Sequence, residues 1–544
     1  MGSDRYENEI ASYSRMKLYR RAAHAVIFLA LIFAGYNARS QDSVRLQLSS
    51  GDGELWWSGV INHGNLMPLS DGYRASLFNN LYGNQAQPLL LSNKGNVVWS
   101  EEPFTIDCQN KTIVLKKPAG EFKTFHAGTT LKEAYRYASK TFFPPSGLAP
   151  AKFLFSNPQY NTWIELLYDQ NQEDVLKYAR AIKDNGFPPG VIMIDDNWQE
   201  DYGTWRFHPA RFPNPTAMVD SLHAWGFKVM VWVCPFVSPD SETFRKLQQA
   251  NALLTDAEGY PKLVKWWNGA SAVLDLTDPN AVKWFHEQLG WLMKTNKIDG
   301  FKFDAGDPEF YIDTHGDRAV SPNEHATLFA KIGLDYPFNE YRATWKMGGQ
   351  PLAQRLRDKN HSWNDLKVLI PDILLQGIMG YPFTCPDMIG GGEMGSFVNL
   401  KSINQDLIVR SAQIHALMPM MQFSVAPWRI LDPAHLDAVK KAIALRSKYT
   451  PTILKLSDEA TKTGEPIVRM MAYEFPGQGL DQVTDQFMLG SEILVAPILN
   501  SENTRTILLP KGKWRNMIDN KVITGPKTIT LNVQLSELPY FVKM

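Results

Sequence analysis

The sequence predicts an α/β protein built on a (β/α)8 barrel, with an N-terminal β-sandwich and a C-terminal β-sandwich region on its flanks. Three observations predict it. Between residues 160 and 430, apolar runs of strand length alternate with stretches of helical periodicity. Short Gly-bearing turns join them, the pattern of repeated βα units with a parallel sheet inside and helices outside. No GxGxxG occurs, which removes the main support for an open dinucleotide-binding sheet. A chain of 544 residues has room for such a barrel and smaller attachments.

Residues 1–15 are polar and read as a leader or tag. Residues 16–40 read as a signal peptide: Lys17, Arg20 and Arg21 are basic, residues 22–35 are apolar, and Ala38 and Ser40 are small residues before Gln41. The expected mature protein is therefore exported, periplasmic or secreted, with no membrane contact. The alternative reading is an N-terminal membrane anchor, for which the apolar run is short. Residues 41–150 form the expected N-terminal β-sandwich, with strands near 43–48, 96–100 and 112–116. Pro-containing stretches at 143–146 and 148–150 mark its end.

The barrel is expected over 151–432. Its strands fall at 161–166, 191–194, 228–233, 298–303, 341–344, 381–384 and 418–423, with a weak additional strand near 356–362 in sixth place. A helix over 171–185 carries apolar Val175, Tyr178, Ala179 and Ile182 at i, i+3, i+4, i+7 and stops at Gly186. A second spans 216–225 and stops at Gly226. Residues 433–544 begin with a basic helix over 435–447. Strands follow at 493–495, 506–509, 521–524 and 528–531, with Gly512 and Gly525 marking turns.

Composition narrows the function. The 56 Lys+Arg balance 56 Asp+Glu, so nothing here neutralises a run of phosphates, and no nucleic-acid partner is expected. Cys108, Cys234 and Cys385 lie far apart, without the pairing of a disulfide framework or a zinc site. No HExxH, GxSxG or P-loop occurs, and no metal or cofactor is expected.

Barrel enzymes collect their chemistry where strands end, so polar residues closing apolar runs are the candidates. Asp195, Asp196 and Trp198 close the second strand. In GFKFDAGD, alternation sets Lys302 and Asp304 on one face, and an ammonium nearby would keep Asp304 ionised, as a covalent nucleophile requires. Asp387 precedes Gly390, Gly391 and Gly392, and Asp358 lies in a polar stretch after the weak sixth strand. Spacing alone leaves Asp358 and Asp387 as equal candidates for a second catalytic carboxylate. Two carboxyls among Trp and Arg are the equipment of a retaining glycosidase: aromatic faces stack on sugar C–H patches, while Asp, Lys and Arg bond hydroxyls.

These residues resemble glycoside hydrolase family 31. The resemblance rests on Thr484-Asp-Gln-Phe-Met-Leu-Gly490, Ile493-Leu-Val-Ala-Pro497 and Leu509-Pro-Lys-Gly-Lys-Trp514. The motifs IDDNW, WVCPFV, KWWNG, GFKFDAGD, GYPFTCPDMIGG and MQFS are most similar to its branch of bacterial α-galactosidases and myogenesis-regulating glycosidase. The resemblance implies a TIM barrel, Asp304 as nucleophile and Asp358, five residues before Trp363, as acid/base. It implies substrate binding by Arg342 and a place for Asp387 as sugar ligand or support. The family's α-glucosidases usually carry a His where this chain has Ser424, an Asp at Met193, and Asp-Pro where it has Cys234-Pro235. The Gly usual before the acid is Arg357. These departures point to a pocket rebuilt for an axial 4-hydroxyl, read by Asp195, Asp196, Trp267 and Lys302. The implied activity is a retaining α-galactosidase acting on an α-galactoside oligosaccharide or glycoconjugate. The rivals are an α-glucosidase or α-xylosidase of the same family, a carbohydrate-binding protein without catalysis, and a phosphate-binding barrel.

Overall fold

The computed structural model describes residues 43–398, 400 and 402–544; the expected leader and signal peptide lie outside the described residues. Eight parallel strands form the central sheet: β1 (Gln159–Asn161), β2 (Val191–Ile194), β3 (Lys228–Val233), β4 (Gly300–Phe303), β5 (Phe338–Tyr341), β6 (Gln354–Arg355), β7 (Thr384–Cys385) and β8 (Gln422–Phe423). Their order is β7-β6-β5-β4-β3-β2-β1-β8. A parallel bridge from Met388, just past β7, to Gln422 in β8 brings the two ends together into a nearly closed barrel. β2 and β3 are near-continuous apolar runs because helices cover one face and the barrel core the other. The helix Gln172–Asp184 buries the four apolar residues of its stripe, and the Asn171 side chain caps it by accepting from Asp174 N.

Several expected elements shift, each for a local reason. β1 ends at Asn161, whose side chain accepts from Trp163 N at 2.8 Å; Trp163–Leu166 is then a helical turn, not strand. The fifth strand is Phe338–Tyr341, and Thr344–Trp345 leaves the barrel to pair with Gln85 and Ala86 of the N-terminal region. The weak sixth strand is two polar residues, Gln354 and Arg355, which no apolar periodicity could announce. The basic helix runs much further, Pro433–Thr463, continuing through Pro451 to a left-handed cap at Gly464.

The N-terminal region holds two sheets. One orders Val44–Ser49, Thr112–Lys117, Thr105–Gln109 and Arg74–Ser76; the other joins Gln85–Ser92, Asn96–Trp99 and Lys123–His126, with Trp56–Val60 along Gln85–Ser92. A helix, Leu131–Phe142, was not expected there; Thr130 and Glu133 bond as a capping pair, a signal the sequence does contain. The C-terminal region is sheet-rich, six antiparallel strands dominated by the ribbon Thr504–Asn516 and Val522–Asn532. Gly512 and Gly525 do not mark turns: they face each other across that ribbon. A Cβ on Gly525 would sit 2.1 Å from the Pro510 carbonyl, so the close approach itself requires glycine. No helix among the described residues is long and apolar enough to cross a membrane.

Candidate active site

The C-terminal ends of the strands open into one cavity of about 530 Å³. Seven of the eight catalytic and substrate-binding residues expected from the sequence line it: Asp195, Asp196, Trp267, Lys302, Asp304, Arg342 and Asp358. Asp304 follows β4, where Ala305 takes φ +60°, a strained left-handed conformation for a residue with a side chain. That turn aims the Ala305 N–H back at Asp304 Oδ1, at 2.9 Å. Arg342 Nε donates to the same oxygen at 3.1 Å, and Trp232 Nε1 from β3 donates to Oδ2 at 3.1 Å. Burial alone would raise this carboxyl's pKa. The charges of Arg342, Lys302 and Arg355, with the Ala305 N–H, outweigh burial and hold it well below the usual carboxylate range.

Lys302 does not bond Asp304 directly. Its Nζ donates to Asp195 Oδ2 at 2.6 Å, a buried ion pair between β4 and the end of β2. Its influence on Asp304 is longer-ranged, and the direct cation is Arg342. Asp196 accepts from Asn197 N at 2.6 Å and from Asn268 Nδ2 at 2.5 Å, with the Tyr202 hydroxyl at 3.4 Å. Burial, and then the adjacent Asp195 charge, push Asp196 up to about 7 against those hydrogen bonds. Trp267 sits at the rim, half exposed, with the Arg342 guanidinium 6.0 Å from its ring.

Asp358 is 34% exposed at the cavity wall and bonds Arg355 Nη1. Asp387, expected as a sugar ligand or a support, is fully buried and absent from the cavity lining. It accepts from Arg355 Nη1 at 3.0 Å and Lys359 N at 2.8 Å, because the glycine loop folds it beneath the segment carrying Asp358. Of the two places expected for Asp387, at the sugar or behind it, the structure puts the residue behind the cavity wall. The glycines serve that fold: a Cβ on Gly391 would lie 2.4 Å from the Lys359 carbonyl. Ser424 also faces away from the cavity, its Oγ accepting from Ile164 N at 2.6 Å.

Sequence reasoning missed Trp232, Asp307, Arg355 and the N-terminal Tyr82 and Gly83, whose loop reaches the cavity. Alternation along WVCPFV could have found Trp232. Tyr82 and Gly83 carry no local signal, since they arrive from another region of the chain. Among the described residues, no cluster of His, Cys, Asp or Glu could hold a metal ion.

Comparison with known proteins agrees with this architecture. Residues 150–456 match the glycosyl hydrolases family 31 TIM-barrel domain, and residues 464–544 match the glycosyl hydrolase family 31 C-terminal domain. The chain is 32% identical over 429 residues to the myogenesis-regulating glycosidase of Mus musculus, covering 76% of this chain and 60% of that protein. It is 27% identical to an α-xylosidase of Lactiplantibacillus pentosus, covering 81% of this chain and 60% of the relative. An α-glucosidase of Saccharolobus solfataricus is 25% identical, with 68% and 60% covered. The chain thus spans about 60% of the length of these relatives. Among solved structures, a family 31 dextranase of Flavobacterium johnsoniae complexed with glucose superposes with TM-score 0.81 at 20% identity, covering 92% of this chain and 66% of that one. At that identity the likeness speaks for the fold, while the match over the barrel and the sheet that follows it speaks for descent: the chain belongs to glycosyl hydrolase family 31.

Proposed function

We propose that the chain is a retaining, exo-acting α-galactosidase. The observation that carries the reading is the pairing, in one cavity, of a carboxylate held ionised by Arg342 and Trp232 with a second carboxyl that reaches solvent. Asp304 Oδ2 accepts a single hydrogen bond, from Trp232, whereas Oδ1 accepts two, so Oδ2 keeps the freer lone pair and is the attacking atom. It bonds to the anomeric carbon as the glycosidic C–O bond breaks, and protonated Asp358 gives its proton to the leaving oxygen. Asp358, now a carboxylate, takes a proton from water. That water attacks the same carbon, releases Asp304, and yields α-galactose with retention.

Galactose is favoured over glucose by two features. Ser424, at the position where the family's α-glucosidases usually carry a sugar-binding His, has its hydroxyl engaged outside the cavity. In its place the cavity offers the Lys302–Asp195 pair and Asp196 for an axial 4-hydroxyl. The α-glucosidase and α-xylosidase among the relatives supply the second reading, the same mechanism on another sugar.

A panel of 4-nitrophenyl α-glycosides tests both. Hydrolysis of the α-galactoside at least about tenfold faster than the α-glucoside and α-xyloside is expected, a discrimination of the size that a single pocket contact supplies. Asp304→Asn should lower turnover by roughly 10³-fold or more while retaining the fold. A preference for glucose or xylose selects the second reading, and sugar binding without turnover in the wild type overturns both.

A further inference from the structure

Arg355 stands between three carboxylates. Nη1 donates to both Asp358 Oδ1 and Asp387 Oδ1, and Nε lies 3.2 Å from Glu340 Oε1 on β5. Arg355, Asp387 and Glu340 are all buried; of the four, only Asp358 reaches the cavity. Among the described residues, Arg355 is also the only group that bonds the Asp358 side chain. This poses a chemical problem. A guanidinium at hydrogen-bond distance lowers a carboxyl's pKa by roughly 1–3 units, whereas a general acid must begin each cycle protonated.

Two buried carboxylates on the same cation offset that pull. Asp387 is fixed for the purpose by its φ of +87°, by the Lys359 N–H, and by the glycine loop beside it. We propose, resting on the reading of Asp358 as the proton donor, that Asp387 is a positioning residue acting through Arg355: it competes with Asp358 for one guanidinium, so that the two carboxyls hold a proton between them and Asp358 has it to give. Burial first, and then the Asp358 charge, push Asp387 up to about 7 against the pull of Arg355, so below that pH the two carboxyls on this cation carry a proton between them.

The remaining charges facing Asp358 across the cavity are Lys302 and Asp304 from β4, and Asp195 and Asp196 after β2. Asp307 and Glu309 beyond β4, Arg342 after β5, the neighbouring Arg357, and Glu393 on the glycine loop complete the set. None of these touches the Asp358 carboxyl, so they supply a background that Asp387→Asn leaves in place.

The test is the pH profile of kcat/KM on methyl α-galactoside, whose leaving group needs a proton, beside dinitrophenyl α-galactoside, whose leaving group does not. In Asp387→Asn the alkaline limb on the methyl glycoside should move down by roughly 1–2 pH units. The activated substrate should lose little at the same pH. Glu340→Gln, which removes the other buried carboxylate from Arg355 without reaching the cavity, should move the limb in the same direction. It decides the matter should Asp387→Asn not fold. A limb unmoved in the folded variants, with activity lowered evenly at every pH, overturns the proposal and leaves Asp387 a structural residue. The underlying reading is checked separately by Asp358→Ala: it stands if the methyl glycoside is lost and the activated one spared with rescue by azide, and it fails if both substrates react as in the wild type.

Discussion

Arg342 reaches Asp304 Oδ1 through its Nε at 3.1 Å while its two terminal nitrogens hold Asp307, at 2.9 and 2.5 Å. Nη1 also donates to the Gly83 carbonyl at 2.8 Å. Four of five N–H groups are therefore committed before any ligand arrives, which fixes the plane of the guanidinium and the carboxylate it faces. The arrangement ties β4, the loop after β5 and the N-terminal region together at the reacting atom.

Replacing that fork by a point charge should separate position from charge. Arg342→Lys keeps a cation but cannot bond Asp304 and chelate Asp307 at once. A fall in kcat of about 10²-fold or more is expected, with KM changed less, since a small displacement of the reacting group is expensive. Steady-state kinetics on the aryl glycoside read it directly; near wild-type kcat would mean that charge alone suffices at Asp304.

Asp196 gives a stability prediction with a definite sign. Its folded pKa of about 7 lies above the ordinary 3.8, so between those values the folded state holds a proton that the unfolded chain has lost. Stability from this group is thus full below the ordinary value and declines as pH rises, until above 7 the buried anion carries its whole penalty. Asp196→Asn removes the ionisation. Relative to wild type it should gain stability between pH 4.5 and 8 by about 2–4 kcal/mol, read from urea unfolding at the two pH values. Parallel changes in the two proteins would show that Asp196 is not the titrating group.

The elements most legible in the sequence are those whose signal is local. β2 and β3 have the residues expected of them because a strand buried on both faces must be continuously apolar. Asp195, Asp304 and Asp358 stood out as carboxylates at strand ends, and the cavity collects them. Tertiary contacts governed the rest. Gln354 and Arg355 form a strand because the barrel interior supplies Glu340 and Asp387 as partners for Arg355, and a scan for apolar runs cannot see such partners. The expected strand at 341–344 takes in Thr344 because that residue's true pairing partner, Gln85, lies far back in the chain. Lys302 and Asp304 share a strand face as alternation required, yet Lys302 bonds Asp195, a choice made by the neighbouring strand end.

Gly392 offers the finest test of how tightly the site is built. A Cβ there would lie 2.9 Å from Asp387 Oδ1 and 3.0 Å from Asp358 Oδ1, closer than either oxygen tolerates without moving. Because the backbone of Gly392 needs no left-handed conformation, alanine introduces the collision without strain of its own. Both carboxyls bond Arg355, so displacing one disturbs the other. Asp358 is the more exposed and should yield, retreating from the position that donates the proton. Gly392→Ala is therefore expected to lower kcat/KM on methyl α-galactoside by about 10–100-fold, with a much smaller loss on the dinitrophenyl glycoside. Its melting temperature should fall by only a few degrees, the cost of one methyl overpacked at a buried loop position. Equal losses on both substrates would place the damage at the sugar-binding end of the cavity instead of at the proton donor.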